Sequence, residues 1–178
     1  MKNNTIFLKV IQFLLFVSFI IWLGGYISRH MVIYQLFEPE GLVLRPNYNL
    51  ENLNVVWNTI SPLLVSNLVS FPLFILFYLS YLFFSKINLK KEGWLFISTI
   101  VILITAPFEI YLLIKDYEIV RLIYSSVSNS EKILNLIRER INILSSFSLI
   151  EIFSYLAIVF LTILKPLSKT DEIKREGT

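Results

Sequence analysis

The chain has 178 residues, of which 56% are hydrophobic, 15% aromatic and only 16% charged, and its mean hydropathy is +0.69. A soluble domain carries about 45–50% apolar and about 25% charged residues, so this composition indicates a membrane protein. The net charge of +3 comes from dispersed residues and does not favour nucleic-acid binding, and the lack of cysteine excludes disulfides and thiolate metal sites.

Four segments are long and apolar enough to cross a bilayer, which needs about 20 residues. They predict spans at about 8–30, 57–85, 94–115 and 141–165. The first is expected to be a retained helix rather than a cleaved signal peptide, because its apolar run is long and no small-x-small cleavage site follows. Lipid offers no partners for backbone polar groups, so the spans must be helical, and three internal prolines fit as kinks.

The first span ends with features that favour helix packing and an interfacial anchor. Gly24 and Ser28 form a small-xxx-small pair, next to Gly25, that would let another helix of this chain or of a partner approach closely. His30 is the only histidine, and the adjacent Met31 would point about 100° away from it on a helix. We therefore expect no metal or cofactor held by this chain alone, and His30 to lie at the interface; a metal site shared with a partner stays open.

The two connections on the far side differ. Residues 38–54 contain prolines, a glycine and asparagines, which predicts an irregular loop. Residues 116–140 carry apolar stripes on both sides of a serine-rich turn, so we predict a helical hairpin outside the membrane, with Ser130 as an N-cap. Its arms would pack on each other and on the first helix, dock a partner, or do both.

Two carboxylates lie inside spans, where an ionisable group is costly and raises a functional question. At about 1.5 Å per residue, Glu109 and Glu151 are about 9 and 16 Å from the same end, on helices that the hairpin joins. Arg29 would meet them from the first helix. Other polar residues on these helical faces or at a similar depth are Asn67, Ser70, Thr105, Asp116, Ser145, Ser148 and Tyr155. The cluster would hold helices in register, form an ion or substrate path, or bind a quinone or lipid.

Basic residues predict the orientation, because cytoplasmic loops are enriched in lysine and arginine. The termini and the 86–92 loop hold nine basic and four acidic residues, while the opposite side holds seven of each. We therefore expect both termini to be cytoplasmic.

The segment "FIIWLGGYISRHMVIY" and the closing "AIVFLTILKPL" carry a family resemblance. They resemble the first and last helices of bacterial membrane proteins of the copper-resistance-D type and related uncharacterised four-helix families. The resemblance covers about 27 of 178 residues. It implies a compact four-helix bundle with a transport or respiratory-accessory role.

The sequence therefore predicts a single-domain, all-α bacterial inner-membrane protein, with four transmembrane helices in an up-down bundle and a cytoplasmic tail at 166–178. We expect it to be a non-catalytic subunit or scaffold, whose partners are the lipid bilayer and other membrane subunits or further copies of itself. The alternative is a small transporter or proton-conducting component that uses Glu109 and Glu151 with Arg29.

Overall fold

The computed structural model describes residues 2–125, 129–143 and 147–168, with side chains from Ile6 onward. These residues contain five helices and no strand: α1 (Lys2–Tyr34), α2 (Leu53–Ser85), α3 (Gly93–Ile123), α4 (Ser130–Ile143) and α5 (Phe147–Leu164). All but α4 are long and apolar enough to span a membrane. The prediction of an all-helical protein with four candidate spans is confirmed. Ser145 and the tail from residue 169 lie outside the described residues.

The first three helices are longer than the spans predicted for them. They contain 33, 33 and 31 residues, or about 50 Å at 1.5 Å per residue, whereas the hydrocarbon layer is about 30 Å thick. The fourth span was predicted from residue 141, but Ile141 belongs to the amphipathic α4 and the apolar α5 begins at Phe147. The excess length of α1, α2 and α3 gives α4 a surface on which to pack.

Two hydrophobic cores follow one another along these long helices. The aromatic core, built from α1, α2, α3 and α5, contains Phe19, Trp22, Leu23, Tyr26, Phe71, Phe74, Tyr78, Ile102, Leu113 and Tyr155. The α4 core is mainly aliphatic and contains Ile33, Leu36, Phe37, Leu53, Trp57, Ile60, Leu64, Ile119, Ile123, Ile133, Leu134 and Ile137. Helix α4 thus covers the ends of α1, α2 and α3.

The connection between α1 and α2 is ordered by its own backbone. Phe37 and Leu44 form an isolated antiparallel bridge, and Arg45 Nε donates to the Phe37 carbonyl at 3.0 Å. Gly41 and Leu42 turn the chain with φ of 76° and 52°, values in the left-handed region that glycine adopts at little cost. The loop therefore folds back onto the end of α1, where Phe37 enters the α4 core.

The start of α4 differs in one detail from the prediction. Asn129 Oδ1 accepts the backbone N–H of Lys132 at 3.0 Å, so Asn129 and not Ser130 is the N-cap. The Ser130 hydroxyl instead donates to Asn54 Oδ1 at 2.6 Å. Ser130 therefore connects α4 with the start of α2.

The chain after α5 returns to the beginning of α3. The N–H of Gly93 donates to the Leu167 carbonyl at 3.2 Å, and the Ser168 hydroxyl donates to Glu92 Oε1 at 3.1 Å. Lys165 lies over the Trp94 ring, a cation–π arrangement. This end of the protein is thereby closed by the residues that follow α5.

Candidate functional site

Five ionisable side chains are buried where the two cores meet. Arg29, Glu109, Asp116, Arg140 and Glu151 are each at most 5% exposed. On α1, Arg29 falls between Tyr26 of the aromatic core and Ile33 of the α4 core. We call these five residues the buried ionic layer. Charged groups are rarely so deeply buried unless they are paired, so the contacts of each one matter.

Asp116 binds two arginines from two other helices. Its carboxylate forms an ion pair with Arg29 of α1 and lies 2.7 Å from Arg140 Nε of α4. Burial disfavours the charged form of Arg140, but the negative charges of Asp116 and Glu109 outweigh it and raise the pKa of Arg140. Asp116 therefore holds α1 and α4 to α3.

The direct ion-pair partner of Arg29 is thus Asp116, whereas the sequence suggested Glu109 or Glu151. Arg29 also lies over the Tyr26 ring, with its guanidinium carbon 5.1 Å from the ring centroid. Its Nε and Nη2 atoms have no hydrogen-bond partner within the described part of the chain. Arg29 is consequently held by one carboxylate and one aromatic face.

The two glutamates come together, as expected, and we call them the acid pair. Glu109 Oε1 accepts the Trp22 indole N–H at 3.3 Å, and Glu151 Oε2 accepts the Tyr26 hydroxyl at 2.9 Å. Both carboxyl groups are fully buried, and their donors Trp22 and Tyr26 are one helical turn apart on α1. The acid pair therefore connects α3 and α5 through α1.

The predicted hydroxyl-bearing residues lie near this pair. Tyr155 and Thr105 share a hydrogen bond of 3.0 Å between α5 and α3, and the Tyr155 ring is 4.5 Å from that of Trp22. Ser148 is buried on α5, one helical turn before Glu151. The structure thus brings Ser148 and Tyr155 to the side of α5 that carries Glu151.

The Asn67 side chain of α2 packs against α1 and forms no hydrogen bond with the residues described. It is fully buried, and neither amide atom has a partner among the residues described. A Cβ built on Gly25 would overlap Asn67 Oδ1. Gly25 therefore allows α2 to approach α1 at this level.

The predicted notch at Gly24 and Ser28 makes no helix contact within the described part of the chain. Both residues are exposed, and a Cβ on Gly24 would meet no described atom within 4 Å. The prediction that this pair packs on another helix of the same chain is wrong, because Gly25, and not Gly24, is on the side of α1 that faces α2. Contact with a different protein stays a prediction.

His30 is half-buried at the end of this layer. Its Nδ1 lies 2.9 Å from the Tyr26 carbonyl oxygen, and its ring is 4.5 Å from the Tyr26 ring. Over residues 2–125, 129–143 and 147–168 there is no group of three or more His, Cys, Asp or Glu side chains arranged to hold a metal ion. The hydrogen bond and the ring contact of His30 are thus both with its own helix.

The sequence placed Asp116 with the buried cluster, although it was also counted among the charges outside the membrane; Arg140 was counted only there, but it too had a signal. Asp116 lies two helical turns after Glu109, on the same face. Arg140 continues the spacing of Ile133 and Ile137, both buried. A charge at a core position of an amphipathic helix indicates a buried partner. Trp22 and Tyr26 had no such signal, because aromatic residues are abundant throughout the chain.

Comparison of the chain with protein-family models, with curated proteins and with solved structures finds no match in any of the three.

Proposed function

We propose that this protein is a non-catalytic subunit or scaffold of a larger membrane complex. The buried ionic layer supports this role, because its charged side chains contact one another and other helices of the chain. Arg29 and Arg140 converge on Asp116, and the acid pair connects α3, α5 and α1. Such interhelical contacts position helices in a membrane.

The observation that carries the proposal is the sparse covering of α5 by its own chain. Only 17% of its span is buried, compared with 28–39% for the other three. Its exposed side chains include Leu149, Ile150, Phe153, Leu156, Phe160 and Ile163. A wide apolar face of this kind contacts either lipid or the helix of another subunit.

A photo-crosslinking residue at Phe153, which is 68% exposed on α5, tests the proposal. Leu76, which is 56% exposed on α2, is the matched control. We expect a stoichiometric protein adduct from Phe153 and mostly lipid adducts from Leu76. Gentle detergent extraction should recover the same partner. Adducts with lipid only at both positions, together with a free monomer, would contradict the subunit role.

The same adduct distinguishes the two kinds of partner. A different membrane protein supports the subunit role. An adduct of twice the mass of the chain identifies a homo-oligomer instead. The scaffold would then consist of copies of this chain and not of a complex with a different protein.

We further propose that the protein lies in a bacterial inner membrane as an up-down bundle, with both termini in the cytoplasm and α4 outside. The excess of basic residues near the termini supports this orientation. Of the seven basic residues at the α4 end, Arg29 and Arg140 are buried against Asp116.

Because the chain has no cysteine, single cysteines can be placed freely. An impermeant maleimide should label Val43→Cys in intact cells and leave Lys90→Cys unlabelled; the reverse pattern would invert the orientation.

One observation favours a second candidate, a proton-conducting component. Glu109 of α3 and Glu151 of α5 are both fully buried and both accept a hydrogen bond from α1, and intramembrane carboxyl groups occur in proton relays. In liposomes containing a pH-sensitive dye, wild-type protein should then pass protons under a potential, and Glu109→Gln or Glu151→Gln should stop the flux. Flux that persists in both variants, or no flux in the wild type, would eliminate this candidate.

A further inference from the structure

The acid pair has more acceptor atoms than donors. Glu109 Oε1 and Glu151 Oε2 are bonded by Trp22 and Tyr26. The remaining oxygens, Glu109 Oε2 and Glu151 Oε1, are buried and have no donor among the described residues. Ionised carboxylates only accept hydrogen bonds. Two ionised carboxylates buried side by side would leave both of these oxygens without a donor, whereas a proton held between them supplies one.

A count of charges in the buried ionic layer leads to the same requirement. Arg29 and Arg140 carry two positive charges, while three carboxyl groups carry three negative charges when all are ionised. Both arginines contact Asp116, so the single excess negative charge falls on the acid pair. An uncompensated charge in an apolar interior is strongly unfavourable. One proton on the pair makes the layer neutral.

Among the residues that the structure describes, no further cationic side chain contacts the acid pair. Tyr26 on α1 and Tyr155 on α5 contribute neutral hydroxyl groups, and Asn67 and Ser70 on α2 are not titratable. His30 directly follows Arg29 on α1, and its Nδ1 lies 2.9 Å from the Tyr26 carbonyl oxygen, with no hydrogen bond to either glutamate among the described residues. Among the described residues, the two glutamates are therefore the groups that would bind the proton.

We propose that Glu109 and Glu151 are a proton-binding site that shares one proton, and that this proton fastens α5 to α3. Loss of the proton leaves two carboxylates repelling each other across the contact between these helices. Helix α5 then loosens first, because it is the span least covered by its own chain. The site serves a static scaffold as well as a proton conductor, so it does not depend on either proposed function.

Infrared spectroscopy of the full chain in lipid tests the site directly, since a protonated carboxyl and a carboxylate absorb at different frequencies. We expect one buried protonated-carboxyl band at neutral pH. Glu109→Gln and Glu151→Gln should each remove it, because either change leaves a neutral layer with the other glutamate ionised. Glu118→Gln, at an exposed carboxyl on α3, is the matched control and should leave the band unchanged. A wild type without the band, or a band that survives in both single variants, would overturn the proposal.

Thermal unfolding is a second measurement, and it can also be made on variants that are obtained in poor yield. The stability from the shared proton is present at low pH and is lost as the pH rises, so the wild-type unfolding midpoint should fall in alkaline buffer. Each single Gln variant should fold and lose this pH dependence, because the glutamine amide can donate to the remaining carboxylate. The Glu109→Gln/Glu151→Gln double variant leaves one excess positive charge and should have a lower midpoint than either single variant.

An alkali-metal ion is the competing occupant of the site, since carboxylate oxygens bind such ions. Replacing Na⁺ and K⁺ in the buffer by a large organic cation should leave the wild-type midpoint and infrared band unchanged. A midpoint that falls on this replacement, in a protein without the protonated-carboxyl band, would assign the site to the metal ion and overturn the shared proton.

Discussion

The aromatic core and the α4 core are both well buried, but different forces hold them together. In the aromatic core, Trp22 stacks parallel to Phe74 at 5.9 Å and lies edge-on to Tyr155 at 4.5 Å. The lipid around such helices is as apolar as their side chains, so packing and hydrogen bonds must provide the association. The α4 core is covered by an amphipathic helix with a polar outer face. If that face lies in water, as we propose, burial of the aliphatic side chains is itself stabilising.

The buried ionic layer lies at the boundary of these two regions and couples them. Asp116 follows Leu113 of the aromatic core and precedes Ile119 of the α4 core. Its two arginine partners come from α1 and from the last turn of α4. Helix α4 is therefore held by two separate interactions: burial of aliphatic side chains along its length and an ion pair at its end.

The largest expected effect comes from breaking that ion pair. Asp116→Asn removes the carboxylate that both Arg29 and Arg140 contact and leaves two buried guanidinium groups without it. Removing one partner of a buried pair costs about 3–5 kcal/mol. We expect a decrease of that size in the free energy of unfolding, measured by denaturant titration in mixed micelles, with faster proteolysis of α4.

Lys115→Ala is the matched control, one residue earlier on the same helix. Lys115 pairs with Glu139 of α4 at 3.0 Å on the exposed surface, where ion pairs contribute little. We expect almost no change in stability. If Asp116→Asn were as mild as this control, aliphatic burial alone would hold α4.

The next effect compares the two cores with one kind of substitution. Leu134 of α4 is 4% exposed in the α4 core, and Leu23 of α1 is 8% exposed in the aromatic core. Leu134→Ala should cost about 2–5 kcal/mol, the usual range for a buried leucine in a water-soluble core. Leu23→Ala should cost less, because its transfer between lipid and protein contributes little. The free energy of unfolding of each variant in the same micelles measures the difference, and equal losses would remove the distinction between the cores.

The sequence predicted the spans and most of the site because both depend on local patterns. An uninterrupted apolar run defines a span, and a carboxylate within it, such as Glu109 or Glu151, stands out against its neighbours. The depth of each glutamate followed from the rise of a helix, so their meeting could be expected.

The partners of the charges could not be predicted in the same way, because they depend on how helices rotate and cross. Arg29 was expected to meet the glutamates, but Asp116 is its direct ion-pair partner. Arg140 was assigned to a solvated arm, whereas the packing of α4 turns it inward. Gly24, Gly25 and Ser28 are all small and lie within two turns of α1. The rotation of α1 places Gly25, rather than Gly24 or Ser28, against α2.

The smallest of these effects tests that rotation at adjacent residues. Gly25→Ala should strain the contact of α1 with α2, because the new Cβ would overlap Asn67 Oδ1 and the fully buried Asn67 side chain would have to move. Overpacking of this kind costs about 1–3 kcal/mol. Gly24→Ala adds the same methyl group where nothing lies within 4 Å, and alanine is a better helix former than glycine by about 1 kcal/mol. Its unfolding free energy should therefore stay the same or rise. A cost at Gly24 equal to that at Gly25 would mean that both glycines face a neighbouring helix, and the packing of α1 on α2 described above would then be wrong.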